Sequence, residues 1–141
     1  MKYLVFIMCM YTHHTHAQSN ILVSQSIHDI NRNTLIFSID TTFYDVEFIP
    51  TANNYITVET SVTSNTGSKS VLNYLNTQGR YTINVYQHDK FHATVLYLNH
   101  DKKDIFINGQ SIHESYKFTI RVPSEMKCKV RKPRESSIAN T

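Results

Sequence analysis

The sequence predicts a mainly β domain in which antiparallel sheets of about eight strands form a short solenoid or a sandwich, with one short helix. Three observations predict this fold class. The chain contains 9 Tyr and 7 Phe but only 3 Gly and 3 Pro, a composition typical of half-buried strands. Short stretches of alternating apolar and polar residues recur, with turn residues between them. Only one segment has apolar residues at helical spacing, so little helix is expected.

The beginning of the chain has the three features of a secretory signal peptide. Lys2 precedes an apolar run over 3–11, and a polar stretch then ends in Ala17. We expect cleavage after Ala17, so that residues 1–17 are removed and the protein is exported to the periplasm or the extracellular space. A buried N-terminal strand is the alternative interpretation of this segment.

The mature chain is then expected to be a β-rich domain over 18–130, followed by a polar basic tail over 131–141. The apolar run of the leader is about half the ~20 residues that a membrane span needs, and no other run approaches that length. We therefore expect no transmembrane segment in the mature chain.

Alternating apolar residues predict the strands in order along the chain. In the clearest one, 115–122, the side chains of Tyr116, Phe118, Ile120 and Val122 face inward and the residues between them face water. Pro123 ends this strand. The predicted strands cover 34–39, 44–48, 55–62, 80–88, 91–98, 105–107, 110–112 and 115–122, and a further strand begins at 127.

One short helix is predicted over 71–78, where the apolar residues fall on one helical face. Ser70 is placed as its N-cap, and Gly79 lies just beyond its end. Because a helix of this length depends on tertiary packing, we expect it to cover the core at one end of a sheet.

Two short turns are predicted between strands. Asn108-Gly109 is the strongest hairpin signal in the chain, because both residues tolerate the positive φ that a two-residue turn requires. Asp89-Lys90 is predicted to be a second two-residue turn, which would pair His88 with Phe91.

Basic residues are concentrated near the end of the chain. Residues 121–134 carry a net charge of +5, whereas the whole chain carries +3. Such a segment suits contact with an anionic surface, or is simply a solvated end. Predicted export argues against nucleic acid as the partner. Without the leader, Cys128 is the one remaining cysteine, so we expect no intramolecular disulfide and an inert thiol in a strand.

No motif in the sequence indicates catalysis or a cofactor. His88, Asp89 and His92 are the best metal-ligand candidates, but a two-residue turn at Asp89-Lys90 would point the two histidines to opposite faces. Ser111, His113 and Glu114 supply the residue types of a hydrolase without the nucleophile elbow that such an enzyme needs. The glycines stand far apart, so there is no phosphate-binding loop. We therefore predict no catalytic residue, no metal, no cofactor and no enzymatic activity.

Three segments together are similar to a known family. They are 44–47 with Tyr-Asp-Val-Glu, 79–81 with Gly-Arg-Tyr, and 116–123, which ends in Val-Pro. They resemble the adhesin-like, β-rich domains of unknown function that bacteria secrete, over roughly 34–130. The resemblance implies a β-solenoid-like stack of short strands after a signal peptide, and it implies no functional residues. Related domains continue with more strands, so here we expect a short stack with an open edge.

The expected function is an exported, non-enzymatic structural or interaction module of the bacterial envelope, and a small-ligand or glycan-binding module is the alternative. The partner would be a protein or an envelope surface, or a second copy paired through an open edge strand. Tyr55, Tyr86 and Tyr97 are the candidate surface-recognition residues, because a tyrosine combines an apolar ring with a hydrogen-bonding hydroxyl.

Overall fold

The computed structural model describes residues 18–30, 32–40, 42–65, 68–98 and 104–132, and the predicted signal peptide and residues 133–141 lie outside these ranges. The described residues form ten strands and one α-helix. The elements are β1 (Ser19–Ile27), β2 (Thr34–Ser38), β3 (Asp45–Thr51), β4 (Ile56–Ser64), α1 (Lys69–Thr77), β5 (Ile83–His88), β6 (Ala93–Leu98), β7 (Ile105–Ile107), β8 (Gln110–Ile112), β9 (Glu114–Pro123) and β10 (Lys127–Arg131).

The strands form two four-stranded sheets and one small hairpin. The first sheet has the order β1-β4-β9-β3, the second has the order β10-β2-β6-β5, and β7 pairs only with β8 among the described strands. The mainly β class with one short helix is therefore confirmed. Both large sheets are mixed, however, because β3 pairs with β9, β2 with β6 and β10 with β2 in parallel.

The expectation of purely antiparallel sheets is therefore wrong. Parallel neighbours arise when the chain leaves a sheet, passes through other elements and returns in the same direction. Here the chain passes from the second sheet to the first between β2 and β3 and passes between them again after β6, so the paired strands run the same way. Residue alternation records which face a side chain occupies and says nothing about this direction.

The two sheets pack face to face as a sandwich, and a solenoid is not confirmed. Phe37 of β2 and Phe118 of β9 are fully buried, and their ring centroids lie 5.1 Å apart in an edge-to-face arrangement. Tyr44 adds a third ring, 6.0 Å from Phe118. The core consists of inward residues from both sheets and from the helix, namely Ile21, Ile27, Leu35, Phe37, Ile39, Ile56, Val58, Val62, Leu72, Tyr81, Ile83, Leu96, Leu98, Tyr116, Phe118, Ile120 and Val122.

The predicted facing of the central strands is confirmed. Tyr116, Phe118, Ile120 and Val122 of β9 are all buried, whereas the residues between them are partly or fully exposed. Near the C-terminal end, Cys128 of β10 packs against the core, and burial raises the pKa of its thiol.

β1, which is an edge strand of the first sheet, is not predicted from the sequence. Its inward positions are Ile21, Val23, Gln25 and Ile27, and the amide of Gln25 interrupts the apolar alternation. The interruption is structural: the side-chain nitrogen of Gln25 donates to the carbonyl oxygen of Ile83 at 2.8 Å, and its side-chain oxygen accepts from the Ile83 N–H at 3.0 Å. This amide therefore joins the edge of the first sheet to the start of β5.

The helix begins two residues earlier than predicted, and its N-cap is Ser68 rather than Ser70. The Ser68 side chain accepts a hydrogen bond from the N–H of Val71 at 3.4 Å. Gly79 lies just past the helix, as predicted, with φ +75°. Its N–H donates to Asn76, and the next N–H, from Arg80, donates to Leu75. This is a Schellman motif, which turns the chain towards Arg80 and Tyr81.

The Asn108-Gly109 turn is confirmed, since both residues have positive φ and the flanking Ile107 and Gln110 pair. The predicted two-residue turn at Asp89-Lys90 is wrong. Residues 89–91 form a turn of 3-10 helix and His92 adopts the left-handed conformation, so that residue 88 pairs with 93. Asp and Lys do not supply the two positive φ angles of a tight turn, and a longer loop takes its place.

Replacing Phe118 with Ala should lower the free energy of unfolding by about 3–5 kcal/mol, because the substitution leaves a cavity between the two sheets. Urea denaturation monitored by circular dichroism measures this change. The control is Phe106→Ala, since Phe106 is 65% exposed in the small hairpin and its loss should change little. Equal effects of the two substitutions would show that the contact between the sheets is not what stabilises the fold.

Replacing Gln25 with Ala should cost about 1–3 kcal/mol, because it removes both partners of the Ile83 backbone at the margin of the core. The same denaturation experiment gives the value, and Ser24→Ala is the matched control on the exposed side of β1. If Gln25→Ala lowered the free energy of unfolding no more than the control, water would be able to replace the amide as the hydrogen-bond partner of the Ile83 backbone.

Candidate functional site

The three tyrosines singled out from the sequence do not form one group. Tyr86 and Tyr97 lie side by side on the outer face of the second sheet, with ring centroids 5.7 Å apart. Tyr55 packs instead against His28 beside the first sheet, at 5.0 Å. The tyrosine pair therefore indicates the outer face of the second sheet as the candidate binding surface.

That surface is here called the aromatic-basic face. Its apolar floor is formed by Ile36, Ala93 and Val95, a buried cluster separate from the main core. Aromatic rings and cationic side chains surround the floor. The members of the face are Thr34, Ile36, Ser38, Tyr86, His88, Phe91, Ala93, Val95, Tyr97, Lys129, Arg131 and Lys132.

The loop between β5 and β6 places one of these rings. The 3-10 turn followed by the left-handed His92 carries Phe91 over the sheet, where it lines the surface together with Ile36 and Val95. The ring of Phe91 lies 4.4 Å from that of His88, and 43% of Phe91 remains exposed. An exposed aromatic over an apolar floor is a surface that favours contact with another molecule.

The cations come from β10. Because this strand pairs in parallel with β2, Lys127 is opposite Thr34, Lys129 is opposite Ile36 and Arg131 is opposite residue 38. Cys128 faces the core, so the three cations lie on the outer side, about 6.6 Å apart along the strand. The basic segment is evident from the sequence, but its position beside the aromatic rings is not.

Arg131 connects the basic row to the rings. Its guanidinium carbon lies 5.1 Å from the centroid of the Phe91 ring, which is a cation–π contact. Two other cations have acidic partners: Lys132 lies 3.1 Å from Asp40, and Arg32 lies 3.0 Å from Asp89. Within the described ranges, Lys129 and Arg131 form no ion pair, so the face carries an excess of positive charge.

Two shallow hollows flank the contact between Phe91 and Arg131. One, of about 210 Å³, extends towards Tyr86 and His88, and the other, of about 380 Å³, extends towards Lys129. Both have Ile36 in their floor. The first is smaller than the roughly 300–1,000 Å³ of typical ligand sites and the second is near the small end of that range, which suits a small group or a short stretch of a chain.

The histidines at 88 and 92 have different neighbours. His88 packs against Tyr86 and Phe91, whereas Nδ1 of His92 lies 3.5 Å from a guanidinium nitrogen of Arg32. In the part of the chain that the structure describes, no three His, Cys, Asp or Glu side chains are grouped closely enough to hold a metal ion.

A second polar cluster lies inside the domain, around Glu114 at the start of β9. Arg80 donates to one oxygen of this carboxylate at 2.7 and 3.0 Å, and Tyr116 donates to the same oxygen at 2.9 Å. The Tyr81 hydroxyl donates to the other oxygen. The Glu114 side chain is only 5% exposed, so these bonds hold a buried carboxylate and attach the end of the helix to β9.

Burial and charge affect the acid–base behaviour of this cluster. Burial opposes the ionised form of Glu114, but hydrogen bonds from Arg80, Tyr81 and Tyr116 outweigh it, so the pKa of Glu114 lies below its usual value. Burial and the neighbouring carboxylate raise the pKa of both tyrosines. Glu114, which follows Ser111 and His113 in the sequence, is thus bonded to an arginine and two tyrosines.

Comparison with known proteins gives one distant structural likeness. No protein-family model matches the chain, and no curated protein matches it. The structure is similar to the crystal structure of a putative adhesin from Parabacteroides merdae, with a TM-score of 0.38 and 10% sequence identity. The match covers 79% of this chain and 35% of that one, so the chain spans about a third of its length. Among the described residues, no helix has the length and apolar character to cross a lipid bilayer.

The buried carboxylate predicts a pH dependence of stability. Because the folded-state pKa of Glu114 lies below its ordinary value of 4.5, its contribution is complete above that pH and is lost as the pH falls through the folded-state pKa. The free energy of unfolding should therefore decrease below about pH 4.5. Glu114→Gln should lower stability near pH 7 by about 3–5 kcal/mol, since it removes the buried carboxylate that pairs with Arg80, and should flatten the acid-side decrease.

Urea denaturation from pH 3 to 7 measures both effects. The exposed Glu125 supplies the control, because Glu125→Gln should leave the slope unchanged. Parallel curves for wild type and Glu114→Gln would show that Glu114 is not the titrating group.

Proposed function

We propose that this chain is a non-enzymatic interaction module, exported to the bacterial envelope or exterior, which binds its partner through the aromatic-basic face. One observation carries the proposal. The outer face of the second sheet has exposed rings and two cations without acidic partners in the described residues, grouped over an apolar floor. Such a surface combines the aromatic and arginine residues that dominate binding energy at interfaces.

The other mode of binding, in which two copies pair through their edge strands, is less well supported. At the open edge of β10, Lys127 and Lys129 would repel the same strand of a second copy. At the open edge of β3, Asp45 and Glu47 would do likewise, and Pro50 lacks a backbone donor. On the other side of the sandwich, Gln25 already bonds to the first residue of β5.

Two further parts of the proposal, export and the lack of catalytic activity, are supported mainly by the sequence. The pattern of residues 1–17 supports a secretory leader. The bonds of Glu114 to Arg80, Tyr81 and Tyr116 support a structural role for that carboxylate. A small-ligand or glycan-binding module is the second candidate, and the two hollows beside Phe91 favour it.

If the aromatic-basic face binds the partner, the double substitution Tyr86→Ala/Phe91→Ala should weaken binding to envelopes isolated from the source bacterium by about tenfold or more. The loss follows because both rings are more than 40% exposed and border the floor. Co-sedimentation of the purified protein with the envelopes, over a range of concentrations, measures the affinity.

Phe106→Ala/Leu22→Ala removes two apolar side chains elsewhere that are even more exposed, at 65% and 67%, and should leave binding unchanged. Absence of wild-type binding, or equal binding by both double variants, would contradict the proposal. Light scattering on the same samples tests the edge alternative, since a concentration-dependent dimer that survives Tyr86→Ala/Phe91→Ala would favour pairing through an edge strand.

A further inference from the structure

We propose that the ligand of the aromatic-basic face is an acidic polysaccharide, a chain of sugars that carry repeated carboxylate or sulfate groups. This inference rests on the proposed function, because it requires that the face be the binding surface. It adds the chemical class of the ligand, and three features of the face support it: the spacing of the charges, the arrangement of the rings, and the shape of the hollows.

The charges indicate a ligand with repeated anions. Lys127, Lys129 and Arg131 lie in a row about 6.6 Å apart on one side of β10. No described acidic side chain forms an ion pair with any of the three. A single small anion would satisfy one of these cations, whereas a polymer with a charge on each unit can pair with the row as a whole.

The rings and hydroxyls indicate sugars. A sugar ring presents C–H groups on its faces and hydroxyls around its rim, so it fits a surface where apolar and hydrogen-bonding groups alternate. Here Ile36 lies between the hydroxyls of Thr34 and Ser38 along β2, beneath the exposed rings of Phe91 and Tyr86. Tyr86 and Phe91 can pack against the C–H groups while the hydroxyls bond to the rim.

The same geometry disfavours a single-stranded nucleic acid, the other common polyanion. Successive bases of a single strand stack on successive aromatic side chains. The rings of this face are inclined to one another: His88 is tilted by 37° against Phe91, at a centroid distance of 4.4 Å. Tyr86 meets Tyr97 at an interplanar angle of 67°. No two of these rings form a parallel stacking platform.

An extended acidic peptide is also disfavoured. Peptides of this kind usually bind by adding a strand to an open sheet edge, where backbone groups are available. The centre of the aromatic-basic face lies on the broad outer surface of the second sheet. The backbone groups of the central strands of this sheet, β2 and β6, are used in pairing with the neighbouring strands. Side chains alone are presented to the ligand there.

The hollows suggest how the chain would lie. Both contain Ile36, Phe91 and Arg131, and they extend in opposite directions, one towards Tyr86 and one towards Lys129. A polysaccharide would therefore cross the Phe91–Arg131 contact with one sugar on each side, and Arg131 would bind an acidic group between them.

The test is isothermal titration of the purified protein with two matched pairs of probes. One pair is polygalacturonate and its fully methyl-esterified form, and the other is dextran sulfate and dextran. At least one acidic polymer should bind ten times or more tightly than its neutral counterpart, and raised salt should weaken that binding because ion pairs are screened. Lys129→Gln/Arg131→Gln should reduce the affinity about tenfold.

The matched control is Lys69→Gln/Lys117→Gln, which removes the same charge from other exposed positions and should keep the wild-type affinity. The inference is overturned if neither acidic polymer binds better than its neutral form, if both charge variants lose affinity equally, or if oligodeoxythymidine binds as tightly as the polysaccharide. If these outcomes occur while envelope binding still depends on Tyr86 and Phe91, the proposed function stands and only the ligand class is wrong.

Discussion

The contact between Phe37 and Phe118 is the interaction on which the sandwich depends. Each ring comes from a strand inside its sheet, β2 or β9, and both are fully buried. Two sheets packed about 10 Å apart need side chains that reach across the gap, and an edge-to-face pair of rings fills it without strain. The aliphatic residues on either side complete a layer from which water is excluded. The outer faces are free to vary because this layer already holds the strands in position.

Two polar side chains at the margin of the core fix the positions of elements that the alternation of apolar and polar residues does not determine. The Gln25 amide substitutes for a strand neighbour at the beginning of β5, and the Glu114 carboxylate gathers Arg80, Tyr81 and Tyr116 below the helix. Each buried polar group is costly without partners, so these bonds stabilise one arrangement against others with the same apolar contacts. The Schellman motif after α1 brings Arg80 and Tyr81 to the carboxylate, which couples the helix end to β9.

Local patterns in the sequence were sufficient for much of the fold. The inward faces of β2, β4 and β9 follow from period-two alternation, and Asn108-Gly109 determines its hairpin through backbone conformation alone. Strand direction and the site depend on distant residues, so they were not predictable in this way. Gln25 conceals β1 because its partner is 58 residues away. Phe91 and Arg131 meet only because a left-handed His92 and the parallel pairing of β10 bring them together, and neither feature has a local signature.

The position of β10 has a consequence for how the protein matures. This strand begins at residue 127, yet its partner β2 begins at residue 34, so a ribosome must synthesise most of the domain before they can meet. Closing a loop of this length has an entropic cost, and contacts between residues so distant in sequence slow folding. Lys129 and Arg131 reach the aromatic rings only with that step. A chain that ends before residue 127 would therefore carry the aromatic rings without these cations, and the proposed binding of an acidic polysaccharide would require the complete strand.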